Sequence, residues 1–98
     1  MNYFFHPEAK RELLDAVDYY ESCSEGLGLE FFNDINATIQ RIINYPHAWS
    51  TFSGNTRRCL TKKFPFGIIY QVLDNKDQII VIAIMQLNRK PGYWEKRL

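Results

Sequence analysis

Ninety-eight residues, 46% hydrophobic and 23% charged, suffice for one domain with a single two-layered core, and exclude both a second domain and wholesale disorder. The net charge of +1 conceals an asymmetry: residues 51–98 carry nine Lys/Arg against three Asp/Glu, and residues 1–50 three against eight. The chain is thus dipolar, roughly +6 over −5 by this count, and its basic half points to an anionic partner.

No apolar run reaches the ~18 residues of a membrane span, and the start of the chain lacks the basic and apolar regions of a signal peptide. Cys23 and Cys59 fit no metal or redox spacing and are expected as free thiols. A cytoplasmic protein without membrane contact is therefore expected.

Asn2 to Phe5 is aromatic-rich and reads as a first strand, because Pro7 disfavours helix at His6. Pro7 suits a first helical position, and Glu8 suits the positive end of the helix dipole. Ala9, Leu13, Ala16, Val17 and Tyr20 then recur every three or four residues, predicting a helix to about Ser24. Its other face, Lys10, Arg11, Glu12, Asp15, Asp18 and Glu21, reads as solvated and is assigned no chemistry.

Ser24 to Gly28 breaks the pattern with paired glycines. A second helix to about Tyr45 follows, with Leu27, Phe31, Ile35, Ile39, Ile42 and Ile43 as its buried stripe and Phe32 beside it. So short a turn predicts an antiparallel helical hairpin. Residues 46–56 are rich in turn formers and read as a loop.

Arg57 to Phe64 and Gly67 to Leu73 then read as strands, Asp74 to Asp77 as a hairpin turn, and Gln78 to Leu87 as the last strand. The predicted fold class is α+β, in the order β-α-α-β-β-β, with the helical hairpin on one face of a small, mainly antiparallel sheet.

No nucleophile elbow, P-loop, dinucleotide fingerprint, metalloprotease or calcium-loop pattern is present, and neither metal nor cofactor is expected. His6 reads as a strand-end or capping residue, and His47 as a loop residue without a nameable partner. The cations are more informative: Arg57, Arg58, Lys62 and Lys63 around one strand, Arg89 and Lys90 after another, with Tyr93 and Trp94 following.

If the central strands are neighbours these groups converge, and two readings stand side by side. Cations can hold phosphates while rings stack on bases, or they can be edge charges that deter aggregation and contact acidic surfaces. Metal-independent RNA cleavage would need a base, an acid and cations for the phosphorane. Arg89 would serve the charge and Tyr93 the acid or a stacking platform, but the base is the gap; Lys62 or Lys63 would qualify only with its pKa well below the reference of about 10.4.

Several runs of residues now add up. Phe5-His6-Pro7-Glu8-Ala9, the Leu13-Leu14-Asp15-Ala16-Val17-Asp18-Tyr19-Tyr20 helix, Gly26-Leu27-Gly28, Arg58 with Phe64 to Tyr70, and Asn88 to Trp94 resemble the RelE/ParE toxin superfamily of type II toxin-antitoxin systems. The likeness covers nearly the whole chain and implies the same order of elements. RelE-like members are ribosome-dependent mRNA endonucleases using sheet cations with a C-terminal Arg and Tyr. Arg58, Arg89 and Tyr93 lie near such positions, but Gly67 stands where an arginine is expected, and Asn88-Arg89-Lys90 occupies the place of another branch's catalytic histidine.

Phe64-Pro65-Phe66-Gly67-Ile68-Ile69-Tyr70 is more similar to the ParE-like, plasmid-stabilisation branch, whose characterised members inhibit DNA gyrase without being enzymes. The resemblance implies a growth-inhibiting toxin. Its partners would be a cognate antitoxin and DNA gyrase, with the ribosome and mRNA as the alternative target. Arg57, Arg58, Arg89, Lys90, Tyr93 and Trp94 are the expected target contacts, and Leu27, Phe32, Lys62 and Lys63 the expected antitoxin contacts.

Overall fold

A computed structural model describes residues 1–98 and gives the order β1 (Asn2–Phe5), α1 (Pro7–Cys23), α2 (Leu27–Asn44), β2 (Arg57–Leu60), β3 (Phe66–Leu73) and β4 (Gln78–Gln86). Two helices pack on a four-stranded sheet of order β1-β4-β3-β2, the α+β arrangement read from the sequence. β1 runs parallel to β4, and the other two pairings are antiparallel.

His6 caps α1, its Nδ1 accepting from the Glu8 N–H at 3.1 Å, and Pro7 opens the helix where an N–H would go unused. Between the helices the Glu21 carboxylate accepts from the N–H groups of Gly26 and Gly28, both at 3.0 Å, and clips the hairpin shut. Gly26 takes φ +86°, which a side chain would resist. Gly28, expected within the break, lies instead inside α2 and is buried. The helices meet so closely there that a Cβ would sit 2.7 Å from the Val17 carbonyl oxygen.

The main core lies between helices and sheet: Ala9 and Leu13 from α1, and Phe31, Ile35, Ile39 and Ile42 from α2, against Ile68, Tyr70, Ile79, Val81 and Ile84. The opposite face of the sheet carries a smaller core, Ile69, Ile82, Ala83 and Met85 beneath Trp94, with Phe52 and Tyr93 packed against it. A bulge makes this possible. Ile69 faces Ala83 but Tyr70 faces Val81, so Ile82 is an extra residue and the alternation of β4 is reset. Ile82 and Ala83 both serve the small core, while Val81 and Ile84 both face the helices.

β2 stops at Leu60 rather than continuing to Phe64. The cause is Asp34 on α2, only 6% exposed, whose carboxylate accepts from the N–H of Lys62 at 3.3 Å and from those of Lys63 and Phe64 at 3.0 Å. Three consecutive donors directed at one carboxylate require a curled chain, so residues 61–65 form a turn. The hairpin turn after β3 is a 3-10 turn, Asp74–Lys76, closed by Asp77 at φ 53°.

Tyr70 spans the core, and its hydroxyl donates to the Pro46 carbonyl at 2.8 Å, tying β3 to the start of the loop. Burial pushes its pKa up to about 12, with Cys59 adding and Arg57 opposing. Because the folded value lies above the unfolded one of about 10, this contribution is intact below pH 10 and is lost as pH rises through the folded value. Tyr70→Phe is expected to cost about 1 kcal/mol in urea unfolding. It should also flatten the alkaline loss of stability and remove a late phase from the phenolate absorbance titration.

Candidate functional site

Arg57 and Arg58 are adjacent on β2 and so point to opposite faces of the sheet. Arg57 shares the helix side with the buried Cys59, and its guanidinium is used internally, donating to the carbonyls of Trp49 at 2.6 Å and His47 at 3.4 Å. His47, left without a partner in the sequence reading, pairs with Asp74 at 3.0 Å. Arg58 lies over the Phe52 ring at 4.2 Å. Its stem rests on Gly67, where a Cβ would meet Arg58 Cγ and Cδ at 3.2 Å. The missing side chain at Gly67 thus leaves a shelf that Arg58 fills.

From Phe52 the contacts continue across the small core. Phe52 stacks on Trp94 with centroids 5.7 Å apart and planes at 24°, and Trp94 meets Tyr93 edge-on at 5.2 Å. The Arg89 guanidinium lies over the Tyr93 ring at 3.5 Å. Two arginines far apart in sequence therefore bracket one continuous aromatic run, each held by an interaction with a ring face.

Glu12 anchors the Arg89 end. Beyond Phe5, β1 no longer covers β4, and Glu12 Oε1 takes the Ile84 N–H at 3.0 Å in place of a strand partner. Arg97 donates to both Glu12 oxygens, at 2.9 and 3.2 Å, and to the Ile82 carbonyl at 3.0 Å. Arg89 approaches Glu12 at 3.5 Å but stays 54% exposed, whereas Glu12 and Arg97 are 16% and 13% exposed. Glu12, read as part of a solvated face, instead ties α1, β4 and the C-terminal segment together.

Tyr93 sits among these groups with its hydroxyl buried and without a hydrogen bond of good geometry. Burial first, and then the Glu12 carboxylate, raise its pKa far above the usual phenol range, while Arg89 and Arg97 pull the other way. A phenol held so firmly in its neutral form is a poor proton donor near neutrality. For Arg97, burial disfavours the cation, but Glu12 outweighs it and the net pKa is raised.

The other expected site residues are dispersed. Trp94 corrects the sequence reading most: with 0% exposure its ring is core, and it supports the run from beneath instead of offering a face to a partner. Lys62 and Lys63 project from the turn around Asp34, exposed and without ion pairs, and Lys90 is exposed likewise. Leu27 is half-buried and Phe32 is 37% exposed, both on the first turns of α2.

Sequence reasoning missed Glu12, Phe52 and Arg97. For Phe52 a signal existed, an aromatic among polar loop residues; for the other two none did.

A cleft of about 510 Å³ opens beside this network, lined by Glu12, Asp15, Tyr19, Tyr20, Phe66 and Arg89 among others. A second, of about 370 Å³, brings Arg41 and Arg58 together with Trp49, Phe52 and Leu60. No group of three or more His, Cys, Asp or Glu side chains is placed to hold a metal ion, and no helix is long and apolar enough to cross a membrane. The arrangement is suited to gripping acidic or planar groups on a partner.

A comparison with curated proteins gives no match. A protein-family model described as ParE toxin of type II toxin-antitoxin system, parDE, matches residues 3–91, from β1 through every strand and helix to just past Arg89. With so much of the chain matched and the expected order of elements in place, the protein belongs to the ParE toxin family of type II toxin-antitoxin systems.

Proposed function

We propose that this toxin inhibits growth by binding DNA gyrase, with Arg58 and Arg89 as the principal contacts and Lys90 and Tyr93 beside Arg89, and that it cleaves no RNA; Arg57, on the other face and bound to loop carbonyls, is not among the contacts. The observation that carries this reading is the Arg58–Phe52–Trp94–Tyr93–Arg89 run, which fixes two guanidiniums on a rigid support. Tyr93, its pKa raised by burial and by the Glu12 carboxylate, is a weak acid. The carboxylate beside it, Glu12, is already engaged by Ile84 and Arg97, and such a surface is organised for recognition.

Family membership brings an antitoxin partner. We assign it the corner where Asp34 joins the Lys62–Phe64 turn to α2. Lys62 and Lys63 supply charge there, and Leu27 and Phe32, on the first turns of the same helix, supply apolar contact for an acidic amphipathic segment.

The decisive experiment runs gyrase supercoiling and translation in vitro side by side on the purified chain. Inhibited supercoiling with unimpaired translation is expected, and translation arrest with cleaved message would overturn the reading in favour of a ribosome-dependent nuclease. Arg89→Ala should weaken supercoiling inhibition about tenfold or more, as for loss of a central interface arginine. Because Arg89 is half-exposed, its unfolding curve should be nearly unchanged.

A further inference from the structure

The two edges of the sheet are treated differently. At β2, Thr51 pairs with Arg57, and Arg41 donates to the outward Leu60 carbonyl at 3.2 Å, so much of that edge is occupied. At β1 nothing comparable is present. Asn2 N–H bonds to the Asp77 carbonyl and His6 N–H to that of Val81, which directs the even-numbered residues of β1 towards β4. By alternation, the N–H and C=O groups of Tyr3 and Phe5 point outward, and they have no partner in the chain.

The side chains of β1 add to this. Asn2–Phe5 contains no Lys, Arg, Asp, Glu or Pro to deter pairing. Tyr3 is 39% and Phe4 45% exposed, far more than the aromatics of the core.

We propose that β1 is a self-association edge, on which a second copy of this chain pairs antiparallel through its own β1, about a two-fold axis beside Phe4. The register follows from the hydrogen bonds. Only when Tyr3 of each copy faces Phe5 of the other are all outward N–H and C=O groups of both residues used, in two closed pairs. Phe4 then faces Phe4 across a non-hydrogen-bonded pair, where side chains are closest. An uncharged strand meets its own copy without repulsion, and the isologous geometry closes at two copies instead of continuing as a fibre. The result is one continuous eight-stranded sheet with all four helices on the same face. This inference does not depend on the identity of the toxin's target.

The test uses the full chain. Sedimentation equilibrium across a hundredfold concentration range should show the mass rising from the 11.6 kDa of one chain towards twice that value. Tyr3→Pro removes an outward N–H that β4 does not use, and Phe4→Lys sets two cations face to face; each should hold the chain monomeric with the same circular dichroism as the parent. In a Cys23→Ser background, Phe4→Cys should cross-link on mild oxidation at least tenfold faster than Tyr19→Cys, which is more exposed but sits in the last turns of α1. A mass that stays at one chain, equal cross-linking of the two cysteines, or strand pairing seen only with a different polypeptide would overturn the proposal.

Discussion

Asp34→Ala is expected to lower the unfolding free energy by about 3–5 kcal/mol, because it removes a buried acceptor shared by three main-chain donors. The carboxylate is 6% exposed, so water cannot readily replace it. A chain of this size has about 5–15 kcal/mol in hand, and the loss is a large fraction of it. Asp34→Asn keeps the shape but turns one acceptor into a donor facing N–H groups, so a smaller yet clear loss is expected. Urea unfolding at neutral pH measures both. If Asp34→Ala unfolds within 1 kcal/mol of the parent, the turn at residues 61–65 is held by something else. Amide exchange at Lys62, Lys63 and Phe64 should accelerate in both variants, while the β3–β4 pairing remains protected.

Trp94→Ala is the second large effect, at about 3–5 kcal/mol for a fully buried indole. Its functional consequence separates it from Arg89→Ala. Removing Trp94 withdraws the support under both Phe52 and Tyr93, so Arg58 and Arg89 lose their fixed separation together. Supercoiling inhibition should fall with stability, and lowering the temperature should recover part of it. Trp94→Phe retains a ring and discards an indole N–H that has no acceptor, so it should cost less than half as much. If Trp94→Ala were as stable as the parent, the small core on the open face would not be a real source of stability.

The helices and the two long strands were legible because their signals are periodic and local. Ile35, Ile39 and Ile42 mark one face of a helix, and the apolar run of β4 marks a strand buried on both sides. What escaped was each carboxylate whose partners lie far away in sequence. Glu12 serves Ile84 and Arg97, Asp34 serves Lys62 to Phe64, and neither relation leaves a trace in spacing.

Trp94 was misread for a related reason. An aromatic beside cations looks like a contact residue until the bulge at Ile82 provides a second core for it to cover. Arg57 and Arg58 looked equivalent, yet strand alternation gives one to the loop and the other to the open face.

The Glu12–Arg97 clasp has a consequence for the order in which the molecule becomes dangerous. Synthesis runs from the amino end. The first turns of α2, with the proposed antitoxin contacts Leu27 and Phe32, leave the ribosome well before Tyr93, Trp94 and Arg97, which complete the support for Arg89. On those contacts, an antitoxin that meets the nascent chain would have a head start over the target. On the contacts proposed above, the surface that would be restrained is made first, and the support for the surface that would engage the target is clasped into place last.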